Sequence, residues 1–193
     1  MKSDIFKMEL GYIKNPDYRE SAITMLELLP DYFYEIPAST TGKYHPKFAL
    51  GDGGLVRHTK VAVRIGYELC QNNSIGNVFT DAEKDLIVIA LMLHDGTKTG
   101  LNGSEYTAFD HPLIVCEYIK TNKDKLKFTD SEIELICSMI SSHMGEWNTS
   151  KYSNVVLPLP INKYQKFVHM ADFLASRKFL DVEFEDDDIV ISG

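Results

Sequence analysis

TDAEKDLIVIALMLHDGTK, residues 80–98, is the stretch on which the reading of the fold turns. Thr80 followed by Glu83 is a capping box, in which hydroxyl and carboxylate satisfy each other's orphaned backbone N–H groups and start a helix. The run Leu86 to Leu93 is apolar on every face, so the helix must be central, with other elements packed around it. The run is far shorter than the roughly 20 apolar residues needed to span a bilayer. His94 and Asp95 come directly off its end, so two titratable groups are delivered to the interior of the protein.

Outward from this helix the chain repeats the same kind of signal. Tyr18 to Leu29 reads as a helix ended by Pro30, and Gly54 to Leu69 is amphipathic. Pro112 suits the first turn of a helix running to Lys120. Thr129 with Glu132 opens a helix to about His143, and Asn162 with Gln165 opens one to about Phe179. Little alternates with period two apart from fragments near Val155 and the tail DVEFEDDDIVISG. The expectation is an all-α helical bundle with at most a short β-hairpin near the C-terminus. No repeat, low-complexity tract or linker divides residues 1–193, which read as one domain. The segment from Ile36 to Gly54, IPASTTGKYHPKFALGDGG, is long for a connection in a compact domain and is suspected of a role.

Composition narrows the function classes. A hydrophobic fraction of 44% and an aromatic fraction of 11% are those of a globular protein. The net charge of −8 provides no general attraction for polyanions, which disfavours an extended nucleic-acid groove. Cys70, Cys116 and Cys137 show no pairing pattern and read as small buried hydrophobes in a reducing compartment. The N-terminal MKSDIFKMELGYIKN lacks a sustained apolar stretch and a small-residue cleavage site, so a cytoplasmic protein without membrane contact is expected. The acidic tail, Glu183 to Asp188, reads as a solvated edge rather than a cation site.

The chemistry lies in where titratable residues fall on the helical stripes. His58 shares a stripe with Leu55, Ala62, Ile65 and Leu69; His143 is in line with Ile133, Ile136 and Ile140; Asp172 is in line with Val168, Ala175 and Phe179. With His94 and Asp95, these groups point inward from four separate helices. Burying an unpartnered carboxylate costs roughly several kcal/mol, and a cation coordinated by imidazoles and carboxylates removes that cost. Taken singly, each group has a plainer explanation. A core histidine can bond a backbone carbonyl, Asp172 can pair with Arg177, and His94 can complement a helix C-terminus. His169 reads as lying on a different helical face from Asp172, as a structural or exposed residue.

The ordered set His58, His94–Asp95, His111, His143 and Asp172 resembles the metal-binding signature of the HD superfamily of phosphohydrolases. The surrounding words GGLVRHT, LMLHDGTK, FDHPLIV, ISSHMGEW and HMADFLASR agree, and the resemblance covers about residues 53–178. It implies that His58, His94, Asp95 and Asp172 form a core metal site. His111 and His143 would then hold a second ion, with Asp95 bridging. The cofactor would be one or two divalent ions, Mn²⁺, Fe²⁺, Co²⁺, Ni²⁺, Zn²⁺ or Mg²⁺. Asp95 and Lys98 would be catalytic, with Lys98 facing a substrate phosphate. Many relatives have Ile-Gly between the HD pair and this lysine, where this chain has Gly96 and Thr97.

Arg57 and Arg177 are candidates for stabilising phosphoryl charge. Asp110 beside His111 reads either as a helix-start carboxylate or as a group that orients that imidazole or a water. Ser39 to His45, which includes Lys43 and His45, offers hydroxyls, a cation and an aromatic ring suited to a lid over substrate. The expected activity is metal-assisted hydrolysis of a phosphoester or phosphodiester of a small nucleotide. Two alternatives stand beside it. GGLVRHT, SSHMGEW and ADFLA also resemble the HD domain of certain 3′→5′ exoribonucleases, which would make short RNA or DNA the substrate. A catalytically silent nucleotide-sensing module is the other.

Overall fold

The capping boxes start helices where the sequence places them. In the computed structural model, which describes residues 1–39, 41–43 and 45–190, the Thr80 hydroxyl accepts from the Glu83 N–H at 3.2 Å while the Glu83 carboxylate accepts from the Thr80 N–H at 2.7 Å. Thr129 with Glu132 and Asn162 with Gln165 make the same reciprocal pairs. The α-helices in chain order are α1 (Lys7–Leu10), α2 (Pro16–Leu28), α3 (Gly54–Gln71), α4 (Asn73–Gly76), α5 (Asp81–Leu93), α6 (His111–Thr121), α7 (Asp130–Ser141) and α8 (Lys163–Ala175). Strands β1 (Phe184–Glu185) and β2 (Asp188–Ile189) pair antiparallel across a turn at Asp186 and Asp187. Both turn residues have positive φ, as a two-residue hairpin loop requires. The fold is all-α with one short terminal hairpin.

Helix α5 is the centre. Every residue from Asp85 to Leu93 is buried, and α3, α7, α8 and α2 pack around it. Its one buried carboxylate above the HD pair, Asp85, accepts from the backbone N–H groups of Lys14 and Asn15, which fixes the approach to α2. Gly66 lets α3 close on α5, since a Cβ there would lie 2.3 Å from Leu91 Cδ1. The three cysteines are free and buried. Among the described residues no helix is long and apolar enough to cross a membrane.

Two helices end earlier than periodicity suggests. Helix α7 stops at Ser141, which leaves His143 in the following turn with its N–H on Ile140 O. Helix α8 stops at Ala175, and Phe179, expected to be its last apolar contact, is 81% exposed. The acidic tail is more than a solvated edge. Asp187 Oδ1 accepts from Arg57 Nη1 at 2.9 Å, and Asp188 pairs with Lys60, a lysine with no exposed surface. Buried Glu9 lies 3.8 Å from the same ammonium. Both ends of the chain are thereby fastened to α3.

Candidate metal centre

Four elements converge on Asp95. His58 comes from the middle of α3, His94 and Asp95 from the end of α5, His111 from the start of α6 and His143 from the turn after α7; all five are essentially inaccessible to solvent. Asp172 of α8 joins them from the side of a cavity. Asp95 Oδ1 lies 2.9 Å from His111 Nε2 and 3.7 Å from His143 Nε2. Its Oδ2 lies 3.5 Å from His94 Nε2 and 3.9 Å from His58 Nε2. Asp172 Oδ1 is 3.0 Å from His58 Nε2 and 3.4 Å from His94 Nε2. The two oxygens of Asp95 thus address two different sets of ligand atoms.

The tautomers make this arrangement informative. The Nδ1 atoms of His94, His111 and His143 each bond the carbonyl three residues back, Leu91 O at 2.6 Å, Ala108 O at 2.8 Å and Ile140 O at 2.8 Å. A carbonyl can only accept, so each Nδ1 carries a proton, and whenever the ring is neutral its Nε2 presents a lone pair inward. The plain reading of these residues as core histidines on backbone carbonyls and the reading as ligands are therefore compatible, one for each ring nitrogen. Inside, lone pairs face carboxylate oxygens, and His111 and His143 bring their Nε2 atoms within 3.4 Å of each other. Buried His94 Nε2 and Asp95 Oδ1 have no hydrogen-bond partner among the described residues. Buried imidazole nitrogens gathered around an orphaned carboxylate oxygen fit a cation. Three sets, His58–His94–Asp95, His94–His143–Asp172 and Asp95–His111–His143, have ligand atoms mutually within 4.8 Å and could hold a metal.

The electrostatics are those of a site set for cations. Burial alone would raise the Asp95 carboxyl, but Lys98 and His94 outweigh it and hold the group well below the usual carboxylate range. Asp172 is held down in the same way, burial being overcome by His58 and His94. Burial opposes protonation of His94, yet Asp95 and Asp172 prevail and raise it. His143 is pushed down to about 3 by burial and by the neighbouring His94.

Lys98 Nζ reaches Asp95 Oδ2 at 2.6 Å and lines the cavity. The Gly96–Thr97 turn that precedes it has a local explanation. A Cβ at Gly96 would lie 2.7 Å from Leu29 Cδ2, and the Thr97 hydroxyl donates to His111 O at 3.1 Å, tying the HD turn to the start of α6. Asp110 precedes α6 as its N-cap, without a side-chain capping bond. His45 stands 5.0 Å ring to ring from His58 and lines the cavity, and burial pushes it down to about 3. Lys43 is exposed and lies off the cavity lining, and Thr40 and Tyr44 of the same loop are outside the described residues.

Arg57 is not brought to the cavity. Its guanidinium donates to the carbonyls of Phe48, Leu50 and Asp52 and to Asp187, which braces the loop before α3. Arg177 does line the cavity. It stacks 3.9 Å over the Phe173 ring instead of pairing with Asp172.

The cavity has a volume of about 600 Å³. Its apolar wall, Met144, Trp147 and Phe173, was not singled out from the sequence. His169 also lines it, so its placement on a different face from Asp172 is corrected. Residues 169, 172, 173 and 176 follow at spacings of three, one and three, and together form one stripe of α8. His169 Nδ1 donates to His143 O at 2.7 Å and so positions the turn that carries His143. Gly145, with φ of 59°, permits that turn, since a Cβ there would strike the His169 ring at 2.1 Å.

No solved structure matches this chain. Residues 55–177 match the HD domain family, a span that includes all six converging side chains and most of the sequence. With that match and this geometry, the chain belongs to the HD superfamily of metal-dependent phosphohydrolases.

Proposed function

We propose that this chain hydrolyses a phosphoester or phosphodiester bond of a small nucleotide, with water as the nucleophile. The observation that carries the reading is the position of Asp95 between two ligand sets, in contact with Lys98 and close to His143, both of which line a cavity of about 600 Å³. That volume is of the size that receives a small molecule. His58, His94, Asp95 and Asp172 would hold one divalent ion, and His111 and His143, sharing Asp95, would hold another. Mixed imidazole and carboxylate donors suit Mn²⁺, Fe²⁺, Co²⁺, Ni²⁺ or Zn²⁺ more than Mg²⁺. Bound there, such ions supply the Lewis acidity that activates water and neutralises phosphoryl charge.

The chain's own groups do the remainder. Lys98 Nζ, at the edge of the cavity and 2.6 Å from Asp95, is placed to exchange its carboxylate contact for a nonbridging phosphoryl oxygen. His45 contributes a neutral imidazole whose buried Nδ1 has no partner among the described residues, available to a substrate oxygen. Arg177 offers its outer guanidinium N–H groups at the cavity wall.

The test is a turnover screen with added Mn²⁺ across nucleoside mono-, di- and triphosphates, cyclic and linear dinucleotides, and short RNA. Hydrolysis of a small nucleotide is expected. Activity on RNA alone would select the exoribonuclease reading, and ligand binding without turnover of any compound would select the silent module. The net charge of −8 favours the small substrate over a strand.

A further inference from the structure

We infer that Trp147 and Phe173 form a ring-stacking wall that selects nucleoside monophosphates by the face of the base, without reading which base it is. The inference rests on the phosphohydrolase reading above and adds the part of the substrate that the wall would hold. Trp147 and Phe173 are near-parallel, with ring planes 12° apart and centroids 5.8 Å apart, in the offset-stacked range. One side of Phe173 is covered by the Arg177 guanidinium. Trp147 is left as the open member of the stack, 46% exposed and lining the cavity.

Two features set the length of the substrate. Phe173 directly follows Asp172, and Trp147 directly follows the turn that carries His143. A molecule whose phosphate lies at Asp95 and whose ring lies on this wall therefore has one short spacer between the two, as in a nucleoside monophosphate. A dinucleotide or an oligonucleotide would have to continue out of the cavity.

Several polar atoms beside the wall are already engaged. Arg177 Nε donates to Phe173 O, Arg177 Nη2 donates to Ser176 Oγ, and Ser176 Oγ donates to Phe173 O. His169 Nδ1 is held by His143 O. Stacking discriminates weakly among bases because every base presents a π face. Adenine and cytosine nucleotides are therefore expected to be accepted within about tenfold of each other.

Trp147 is the single tryptophan of the chain, so its fluorescence reports this wall alone. Adenosine and cytidine, which cannot be hydrolysed by the proposed reaction, are titrated into the Mn²⁺-loaded protein beside ribose as control. Saturable quenching by both nucleosides and none by ribose is expected. In parallel, kcat/KM is measured for adenosine 5′-monophosphate, cytidine 5′-monophosphate and ribose 5-phosphate. Trp147→Ala should reduce the preference for the nucleotides over ribose 5-phosphate by about 5- to 150-fold, and Trp147→Phe should keep most of it. Equal rates on ribose 5-phosphate and the nucleotides, or an unchanged preference in Trp147→Ala, would overturn the wall. Quenching by nucleosides with no hydrolysis of any phosphate would uphold the wall and overturn the hydrolase reading on which it was built.

Discussion

Three of the histidines beside Asp95 have two jobs, divided between their nitrogens. In His94, His111 and His143 the Nδ1–H is fixed on a carbonyl one helical turn back, so the ring cannot rotate and its Nε2 lone pair is aimed inward. Asp95 is the group common to both ligand sets. Asp95→Ala is expected to abolish both metal binding and turnover, checked by elemental analysis and the substrate screen. On the proposed two-ion reading, His143→Ala should lower the metal content from two ions to one, because His143 and His111 both face Asp95 Oδ1.

His94 also makes the site sensitive to pH. Its folded-state pKa is raised: burial opposes protonation, but Asp95 and Asp172 prevail. The cation-free fold therefore has a stabilising proton that is fully present below the unfolded value of about 6.5 and is lost as pH rises through the folded value. Metal binding must displace that proton, so metal affinity falls by up to about tenfold per pH unit below the folded value. Asp95 and Asp172 stay ionised throughout and add no slope in this window. The rise in Tm on adding Mn²⁺ should be larger at pH 8 than at pH 6, by thermal melts at fixed Mn²⁺; an equal or smaller rise at pH 8 would contradict this linkage.

At the level of elements, the α3–α5 crossing sets the distance between His58 and His94. Gly66 permits that crossing, and Gly66→Ala would drive a methyl into Leu91 Cδ1. A cost of about 1–3 kcal/mol is expected from overpacking, which outweighs the gain of about 1 kcal/mol that alanine brings to a helix interior. Urea melts and a Mn²⁺ titration check it; unchanged stability and affinity would show that the crossing is not the controlling distance. Helix starts were legible in the sequence because a capping box is a local signal, complete within four residues. Helix ends were less so. Helix α7 ends before His143 because the turn at Gly145 seats against the His169 ring, a contact between residues of different elements. His58, His94, Asp95, His143 and Asp172 were legible as inward-pointing titratable groups, and His111 only through the family resemblance. The aromatic wall was not, because Trp147 lies in a turn without periodicity and Phe173 reads as an ordinary apolar helical residue.

Across the whole molecule, α3 is the element to which both chain ends are fastened. Glu9 near the N-terminus and Asp188 near the C-terminus meet at Lys60, two residues from His58 on the same helix, and Arg57 holds Asp187 and the loop before α3. Residues 9, 60 and 188 each look like surface charges in the sequence, and only their meeting gives Lys60 a reason to be buried. Lys60→Met would leave Glu9 buried without its cation, which costs about 3–5 kcal/mol. Adding Glu9→Leu should restore much of that loss, since replacing a buried pair by apolar groups is often nearly neutral. Denaturant midpoints of the two variants decide it: a double variant no more stable than Lys60→Met would remove the pair from the account of stability.

The most direct test of the metal centre is anomalous scattering from crystals soaked in Mn²⁺. Density is expected beside Asp95, bounded on the Oδ2 side by His58, His94 and Asp172 and on the Oδ1 side by His111 and His143. Mn²⁺-saturated crystals with no anomalous density there, and Lys98 still on Asp95, would contradict it.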